Sequence, residues 1–257
     1  MRFKLTLELK PQESGREIPI NYQYELSSVI YRIVANADEE YSEMLHNIGF
    51  ISTTKHFKLF TFSNLIVPNY GIKKETERLV VKSDLVYWYL GFIPDEITQK
   101  FVQGVFADQQ FRLADSVSGA WFMIREIQLL PDVEVSAETE FETLSPICVS
   151  TKVDGRKTYM KPGDETYEQG LLTGLLERYK AINGSEFGGD KYCHLTVTNE
   201  PKSALVKIKS GTKDETKVRG FRYRFKIDLP QPLYNIACNG GLGEACSMGF
   251  GMIKESR

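Results

Sequence analysis

The sequence predicts an α+β fold made of two successive β-α-β-β-α-β units. Alternating apolar residues mark strands, and apolar residues at every third or fourth position mark helices, in the same order before and after residue 132. With 257 residues, of which 42% are hydrophobic, the chain is long enough for two globular domains. This element order is that of the ferredoxin-like fold, so we expect tandem ferredoxin-like domains over 1–132 and 133–257.

The first unit opens with a strand and a helix. Apolar residues occupy every second position from Met1 to Leu9, which predicts a strand with one buried face. After a polar turn, a helix is expected over 22–37, because its apolar residues form one stripe: Leu26, Val29, Ile30, Ile33 and Val34. Tyr31 lies on the flank of this stripe. Asp38 can cap a short second helix that carries His46 in its last turn.

Three strands and one helix complete the first unit. Apolar and aromatic residues predict strands over 57–62, 78–82 and 121–130. Pro94 opens a helix whose inner face we expect to contain four apolar residues: Ile97, Phe101, Val105 and Phe106.

The second unit repeats this order. A strand over 141–150, interrupted by Pro146, precedes a helix over 167–182 with a leucine-rich face. Further strands are predicted over 192–198, 204–210 and 219–229. A short helix over 233–237 then leads into a glycine-rich loop and a last strand.

Positive charge is concentrated in one stretch, although the whole chain has a net charge of −2. The acidic residues there are only Asp214 and Glu215, against nine basic ones: Lys202, Lys207, Lys209, Lys213, Lys217, Arg219, Arg222, Arg224 and Lys226. Phe221, Tyr223 and Phe225 alternate with the last three, so a strand would place charges and rings on opposite faces. The pattern fits either a solvated strand face or a hairpin that follows nucleic-acid phosphates.

Five glycines lie close together near the C-terminus: Gly240, Gly241, Gly243, Gly249 and Gly251. Because glycine is costly to order, the cluster indicates positive φ angles or backbone N–H groups brought close to an anion. A Walker loop would require a Gly-Lys-Ser/Thr ending, and a dinucleotide fingerprint would require a long helix after the loop. Glycine content alone favours a helix C-cap and a tight turn into the last strand.

His46 has the best-placed partners for catalysis among the three histidines. Tyr31 lies on the preceding helix, and Lys58 lies in the strand that follows. An imidazole, a phenol and an ammonium group suit metal-free phosphodiester cleavage, in which groups exchange protons with the sugar oxygens while a cation stabilises the phosphorane. From spacing alone, a histidine facing the C-terminal dipole of a helix is an equally good interpretation.

The chain resembles the CRISPR-associated endoribonucleases of the RAMP superfamily that cut repeat RNA. The similar segments are spread over nearly the whole chain: 21–31, 41–46, 57–63 and 144–147. Most specific is the loop from Gly241 to Gly251, which resembles the signature glycine-rich loop of that family.

The resemblance implies a metal-independent endoribonuclease without a cofactor, which cuts repeat transcripts and leaves 5′-hydroxyl and 2′,3′-cyclic phosphate ends. Tyr31, His46 and Lys58 fall on the family's catalytic residues, and Lys55 is an alternative for the lysine. We expect RNA to bind the basic hairpin and the glycine-rich loop, through Lys202, Lys207, Lys209, Lys217, Arg219, Arg222, Arg224, Gly241, Gly243, Gly249 and Gly251.

Composition limits the partners, and one alternative function stays open. The chain contains no run of about 18 apolar residues, so we expect no membrane span. The four cysteines lack paired spacing, which indicates reduced thiols in the cytoplasm. The expected partner is CRISPR repeat RNA, with other effector subunits or a second copy of the chain as further candidates. The alternative is a RAMP subunit that binds RNA without cutting it.

Overall fold

A computed structural model of the chain describes residues 1–53, 55–133, 136 and 138–256. Two large hydrophobic clusters form, one from residues between Phe3 and Ile124 and the other from residues between Phe141 and Ile253. Within the described ranges, no helix has the length and apolar character needed to cross a membrane.

The first half is built around a five-stranded antiparallel sheet. Its elements are β1 (Arg2–Lys10), α1 (Pro11–Ser14), β2 (Glu17–Pro19), α2 (Gln23–Ala37), α3 (Glu39–Asn47), β3 (Phe50–Ser52), β4 (Lys55–Phe57), β5 (Phe60–Phe62), β6 (Tyr70–Lys73), β7 (Arg78–Val81), β8 (Leu85–Phe92), α4 (Asp95–Ala107), β9 (Gln110–Ala114) and β10 (Gly119–Leu130). The strand order is β5-β8-β1-β10-β9, and α2 and α4 pack on the apolar face. Four neighbouring strands of this sheet, β5-β8-β1-β10, have the order of the ferredoxin-like fold.

The second half is built around a four-stranded antiparallel sheet. Its elements are β11 (Glu140–Thr143), β12 (Ser150–Val153), β13 (Arg156–Tyr159), α5 (Tyr167–Asn183), β14 (His194–Val197), β15 (Lys202–Ile208), β16 (Thr216–Arg222), β17 (Arg224–Asp228), α6 (Gln231–Gly240), a 3₁₀ turn (Cys246–Met248) and β18 (Ile253–Glu255). The strand order is β14-β17-β11-β18, and α5 and α6 contribute to its core. The predicted α+β fold with two ferredoxin-like units is confirmed.

Several predictions in the first half are wrong in detail. The third strand of the unit is β8, whereas the predicted strand over 78–82 is β7, which pairs with β2 and β6 in a separate sheet. The predicted strand over 57–62 is divided into β4 and β5, because Leu59 between them has a φ of 54° and interrupts the extended backbone. Phe106 is 76% exposed, since it follows Val105 by one position and points away from the core.

The predicted strand over 219–229 is also two strands. Up to Arg222 the chain pairs with β15, and from Arg224 it pairs with β14 and β11 in the main sheet. Phe221, Tyr223 and Phe225 are buried, as the alternation predicted. The basic residues therefore divide between a separate hairpin, β15–β16, and the outer face of the main sheet.

The two halves contact each other through this hairpin and the glycine-rich loop. The Lys207 backbone N–H donates to Asn21 Oδ1 at 3.0 Å, and its ammonium group pairs with Glu77 at 2.6 Å. The buried Thr61 hydroxyl donates to the Phe250 carbonyl at 2.9 Å. The Thr61 bond holds the glycine-rich loop against β5, and the two Lys207 contacts hold the hairpin against the first half.

Candidate active site

Tyr31, His46 and Lys58 come together at one edge of the first core. The Tyr31 and His46 rings meet edge to face, with centroids 4.9 Å apart and an interplanar angle of 81°. The Lys58 ammonium donates to the His46 backbone carbonyl at 2.7 Å. The structure thus assembles the three groups that the sequence proposed for phosphodiester cleavage.

Local sequence explains how these groups meet. Asp38 accepts the Tyr41 N–H at 2.9 Å and caps α3, as predicted, so His46 lies in the last turn of that helix. Ser42 donates to the Tyr31 carbonyl at 2.8 Å and ties α3 to α2. Gly49 has a φ of 67°, and a Cβ there would collide with the Phe57 backbone and lie 3.0 Å from Lys58 Cδ. Glycine at this position therefore lets the Lys58 side chain pass close to the backbone and reach the His46 carbonyl.

Burial shifts the pKa values of two members of this cluster. Desolvation raises the pKa of Tyr31 far above that of an ordinary phenol, so the hydroxyl stays protonated and can act only as a donor or acceptor of hydrogen bonds. Desolvation also lowers the pKa of Lys58. His46 Nδ1 lies 3.1 Å from Asn47 Oδ1, and the ring is exposed. When Nδ1 donates to that oxygen, Nε2 keeps its lone pair for proton transfer.

Lys55, the alternative cation, lies at the start of β4 opposite Ser52 and is exposed. Its position favours Lys58 as the cation beside His46.

A cavity of about 700 Å³ adjoins this cluster. One wall is formed by residues 55–60. The ring of the last of them, Phe60, packs against Tyr31, with ring centroids 5.6 Å apart. The other walls are α5 and the part of the glycine-rich loop between Gly243 and Ser247.

The glycines of the loop are explained mainly by close packing. All four predicted RNA-binding glycines are buried and have positive φ angles: Gly241, Gly243, Gly249 and Gly251. A Cβ on Gly241 would lie 2.8 Å from Cys246 Sγ, and one on Gly249 would lie 2.9 Å from the Phe62 ring. Three of their N–H groups donate inside the protein, those of Gly241, Gly249 and Gly251. The face of the loop toward the cavity is instead formed largely by residues 244–247.

Arg178 holds the loop from beneath and was missed by the sequence reasoning. It is only 4% exposed, and its guanidinium donates to the Gly241 carbonyl at 2.9 Å, to the Gly243 carbonyl and to Cys246 Sγ at 3.1 Å. The same group lies 5.7 Å from the Phe57 ring centroid. An arginine on the leucine-rich stripe of a helix was the signal that could have revealed it.

The predicted basic cluster is only partly available to a ligand. Lys207 pairs with Glu77, Lys209 lies 3.7 Å from Asp214, and Arg224 lies 3.7 Å from Glu142. Arg219 is exposed and donates to the Ser203 hydroxyl at 2.6 Å. Within the described part of the chain, no ion pair forms at three exposed cations of the hairpin, Lys202, Lys217 and Arg222.

Comparisons with known proteins identify the family. A family model described as "CRISPR-associated protein Cas6, N-terminal" matches residues 17–128, and one described as "CRISPR associated protein Cas6, C-terminal" matches 130–255. "CRISPR-associated endoribonuclease Cas6 1" of Methanocaldococcus jannaschii is 30% identical over 98% of this chain and 93% of its own length. The chain belongs to the Cas6 family.

Further relatives and solved structures match nearly the whole chain. "CRISPR-associated endoribonuclease Cas6" of Pyrococcus furiosus is 25% identical over 99% of this chain and 89% of its own length. A solved structure of a Cas6-related gene product from Pyrococcus furiosus, 24% identical, covers the entire chain and 98% of its own length with a TM-score of 0.82. "An RAMP protein binding different RNA substrates" covers both chains fully with a TM-score of 0.80 and 24% identity.

Proposed function

We propose that this Cas6 protein is a metal-independent endoribonuclease of the cytoplasm that cuts CRISPR repeat RNA. The observation that carries the proposal is the cluster of Tyr31, His46 and Lys58 beside an open cavity. The names of the relatives from Methanocaldococcus jannaschii and Pyrococcus furiosus, both endoribonucleases, support it. In this proposal residues 1–132 carry the catalytic groups, and residues 133–257 supply the hairpin and the loop.

The chemistry follows from the proton states of the cluster. The ribose 2′-oxygen attacks the adjacent phosphorus, the bond from phosphorus to the 5′-oxygen breaks, and the products end in a 2′,3′-cyclic phosphate and a 5′-hydroxyl. The 2′-hydroxyl loses a proton and the leaving 5′-oxygen gains one; His46 Nε2 makes one of these two transfers, and solvent water at the exposed ring makes the other. Tyr31, kept protonated by burial, donates to the phosphate or orients the 2′-hydroxyl. Lys58 stabilises the charge that builds on the phosphorane.

The exposed cations of the β15–β16 hairpin provide the RNA-binding surface in this proposal. Lys202 on β15 lies opposite Arg222 on β16 in the strand register, and β16 also carries Lys217 and Arg219. The hairpin contacts the first half through Lys207 and Asn21, next to the start of α2, the helix that carries Tyr31. Contacts between such cations and phosphates make affinity strongly dependent on salt.

The test is incubation of the wild-type protein with repeat RNA in EDTA. We expect one cut per repeat, because none of the proposed steps uses a metal ion. Among the described residues, no three His, Cys, Asp or Glu side chains are grouped so that they could hold one. Tight binding without any cut would support the alternative, a RAMP subunit that only binds RNA.

The pH dependence of cleavage should report Lys58. Desolvation lowers its pKa, so the cation is lost, and the rate falls, at a lower pH than for an exposed lysine. In Lys58→Arg the guanidinium stays charged, so this alkaline decline should disappear. Single-turnover rates measured against pH for both proteins test this. The same alkaline decline in both would show that Lys58 is not the group responsible.

A further inference from the structure

The cavity beside Lys58 has the charge expected of a site for nucleic acid. Lys55, Lys58 and Arg178 line it, against one carboxylate among the described lining residues, that of Glu244. This carboxylate accepts the Ser150 N–H and hydroxyl, both at 2.8 Å, and pairs with Lys157 at 3.2 Å. Its charge is therefore already balanced, and the remaining potential in the cavity is positive.

Phe57 gives the cavity an aromatic wall. The side chain is half-buried, lines the cavity and directly precedes Lys58. Arg178 lies against the ring and is itself held by the loop carbonyls, so the ring rests on a fixed support. Aromatic rings on which unpaired bases stack are the usual means by which proteins hold single-stranded RNA.

Gly174 keeps the opposite wall open. Two glycines lie inside α5, where glycine weakens a helix relative to alanine. Packing explains Gly170, because a Cβ there would collide with the Val149 side chain. Packing does not explain Gly174, because a Cβ there would meet only the Gly243 carbonyl, at an ordinary 3.8 Å. What a side chain at this position would occupy is the cavity.

We propose that this cavity receives an unpaired nucleobase of the RNA, stacked on Phe57, from one of the two nucleotides joined by the scissile phosphate. Since Lys58 belongs both to the cavity wall and to the catalytic cluster, a base held here places its own phosphate next to His46. The volume of about 700 Å³ accommodates a base with its sugar. This inference rests on the proposed function and adds the site that fixes the register of the cut.

The test is a mutant cycle with an uncleavable RNA that carries a 2′-deoxy sugar at the cut. An abasic nucleotide is placed on one side of the scissile phosphate and then on the other. We expect one of these RNAs to bind the wild type roughly ten- to a hundredfold more weakly, as loss of one stacked base implies. Phe57→Ala should bind intact RNA with the same loss, and the abasic RNA with no further loss.

Three variants separate stacking from general damage. Phe57→Tyr keeps the ring and should bind as the wild type does. Gly174→Leu fills the cavity from α5 and should reproduce the loss of Phe57→Ala. Phe106→Ala, an exposed ring on α4 outside the cavity, should bind normally.

The outcomes distinguish the site from the proposed function. Wild-type protein that binds intact repeat RNA but is indifferent to both abasic positions would overturn the base site alone. Additive losses from Phe57→Ala and the abasic nucleotide would also overturn it, because independent effects do not share a contact. Failure to bind repeat RNA at all would overturn the proposed function and the site with it.

Discussion

Substitution of His46 by alanine is expected to slow RNA cleavage by two to four orders of magnitude, the usual contribution of a positioned proton-transfer group, roughly 10²–10⁴. The affinity for RNA should stay near the wild-type value, because proton transfer acts in the transition state and not in the bound complex. The ring is exposed, and among the described residues its side chain forms one hydrogen bond, to the neighbouring Asn47, so its removal should leave the fold intact. Single-turnover cleavage rates and equilibrium binding of the same RNA measure the two effects.

The matched control is His194→Ala, an exposed histidine on β14 in the other half of the chain. It should cut at the wild-type rate. If His46→Ala loses affinity as much as rate, His46 contributes to binding and the assigned catalytic role is wrong.

The second large effect is expected from Arg178→Met. This change removes a buried guanidinium, takes the Arg178 donor from the Gly241 carbonyl and leaves the Gly243 carbonyl with the weak Cys246 thiol donor at 3.6 Å. A buried acceptor without a donor costs about 1–3 kcal/mol, so the free energy of unfolding should fall by at least about 1–3 kcal/mol. Urea unfolding followed by circular dichroism measures this change. Cleavage should fall as well, because residues 243–247 and Phe57 both rest on this side chain.

Lys180→Met on the same helix is the control. Its ammonium is at the surface and pairs with Glu186, so its loss should change stability little. A variant at Arg178 as stable as the wild type would mean that other contacts hold the loop.

Patterns that repeat along the chain were sufficient to predict most of the fold. The stripe on α2, the Asp38 cap and the alternation in β1 were each read from local spacing and are found in the structure. The break between β4 and β5 was not predictable, because the positive φ of Leu59 is imposed by its surroundings. Likewise β7 has the apolar character of a central strand but pairs outside the main sheet, and pairing is a tertiary property.

The site likewise contains some residues that the sequence predicted and others that depend on tertiary structure. Tyr31, His46 and Lys58 were selected by chemistry and by resemblance, and the structure brings them together. The glycines were recognised from their number, but their buried N–H groups and tight contacts could not be deduced from it. Arg178 and the cavity depend on α5 lying beneath a loop more than 60 residues away in sequence, as the separation of 63 from Gly241 shows. No local pattern carries that information.

The central claim is that the RNA is cut by its own 2′-hydroxyl within the Tyr31, His46 and Lys58 cluster. The most direct measurement is cleavage, in EDTA, of repeat RNA with a single 2′-deoxy sugar immediately upstream of the cut, beside the all-ribose RNA. The account predicts no cleavage of the substituted RNA, normal binding of it, and a 2′,3′-cyclic phosphate with a 5′-hydroxyl on the products of the unmodified RNA. Cutting of the 2′-deoxy RNA at the same position would contradict it.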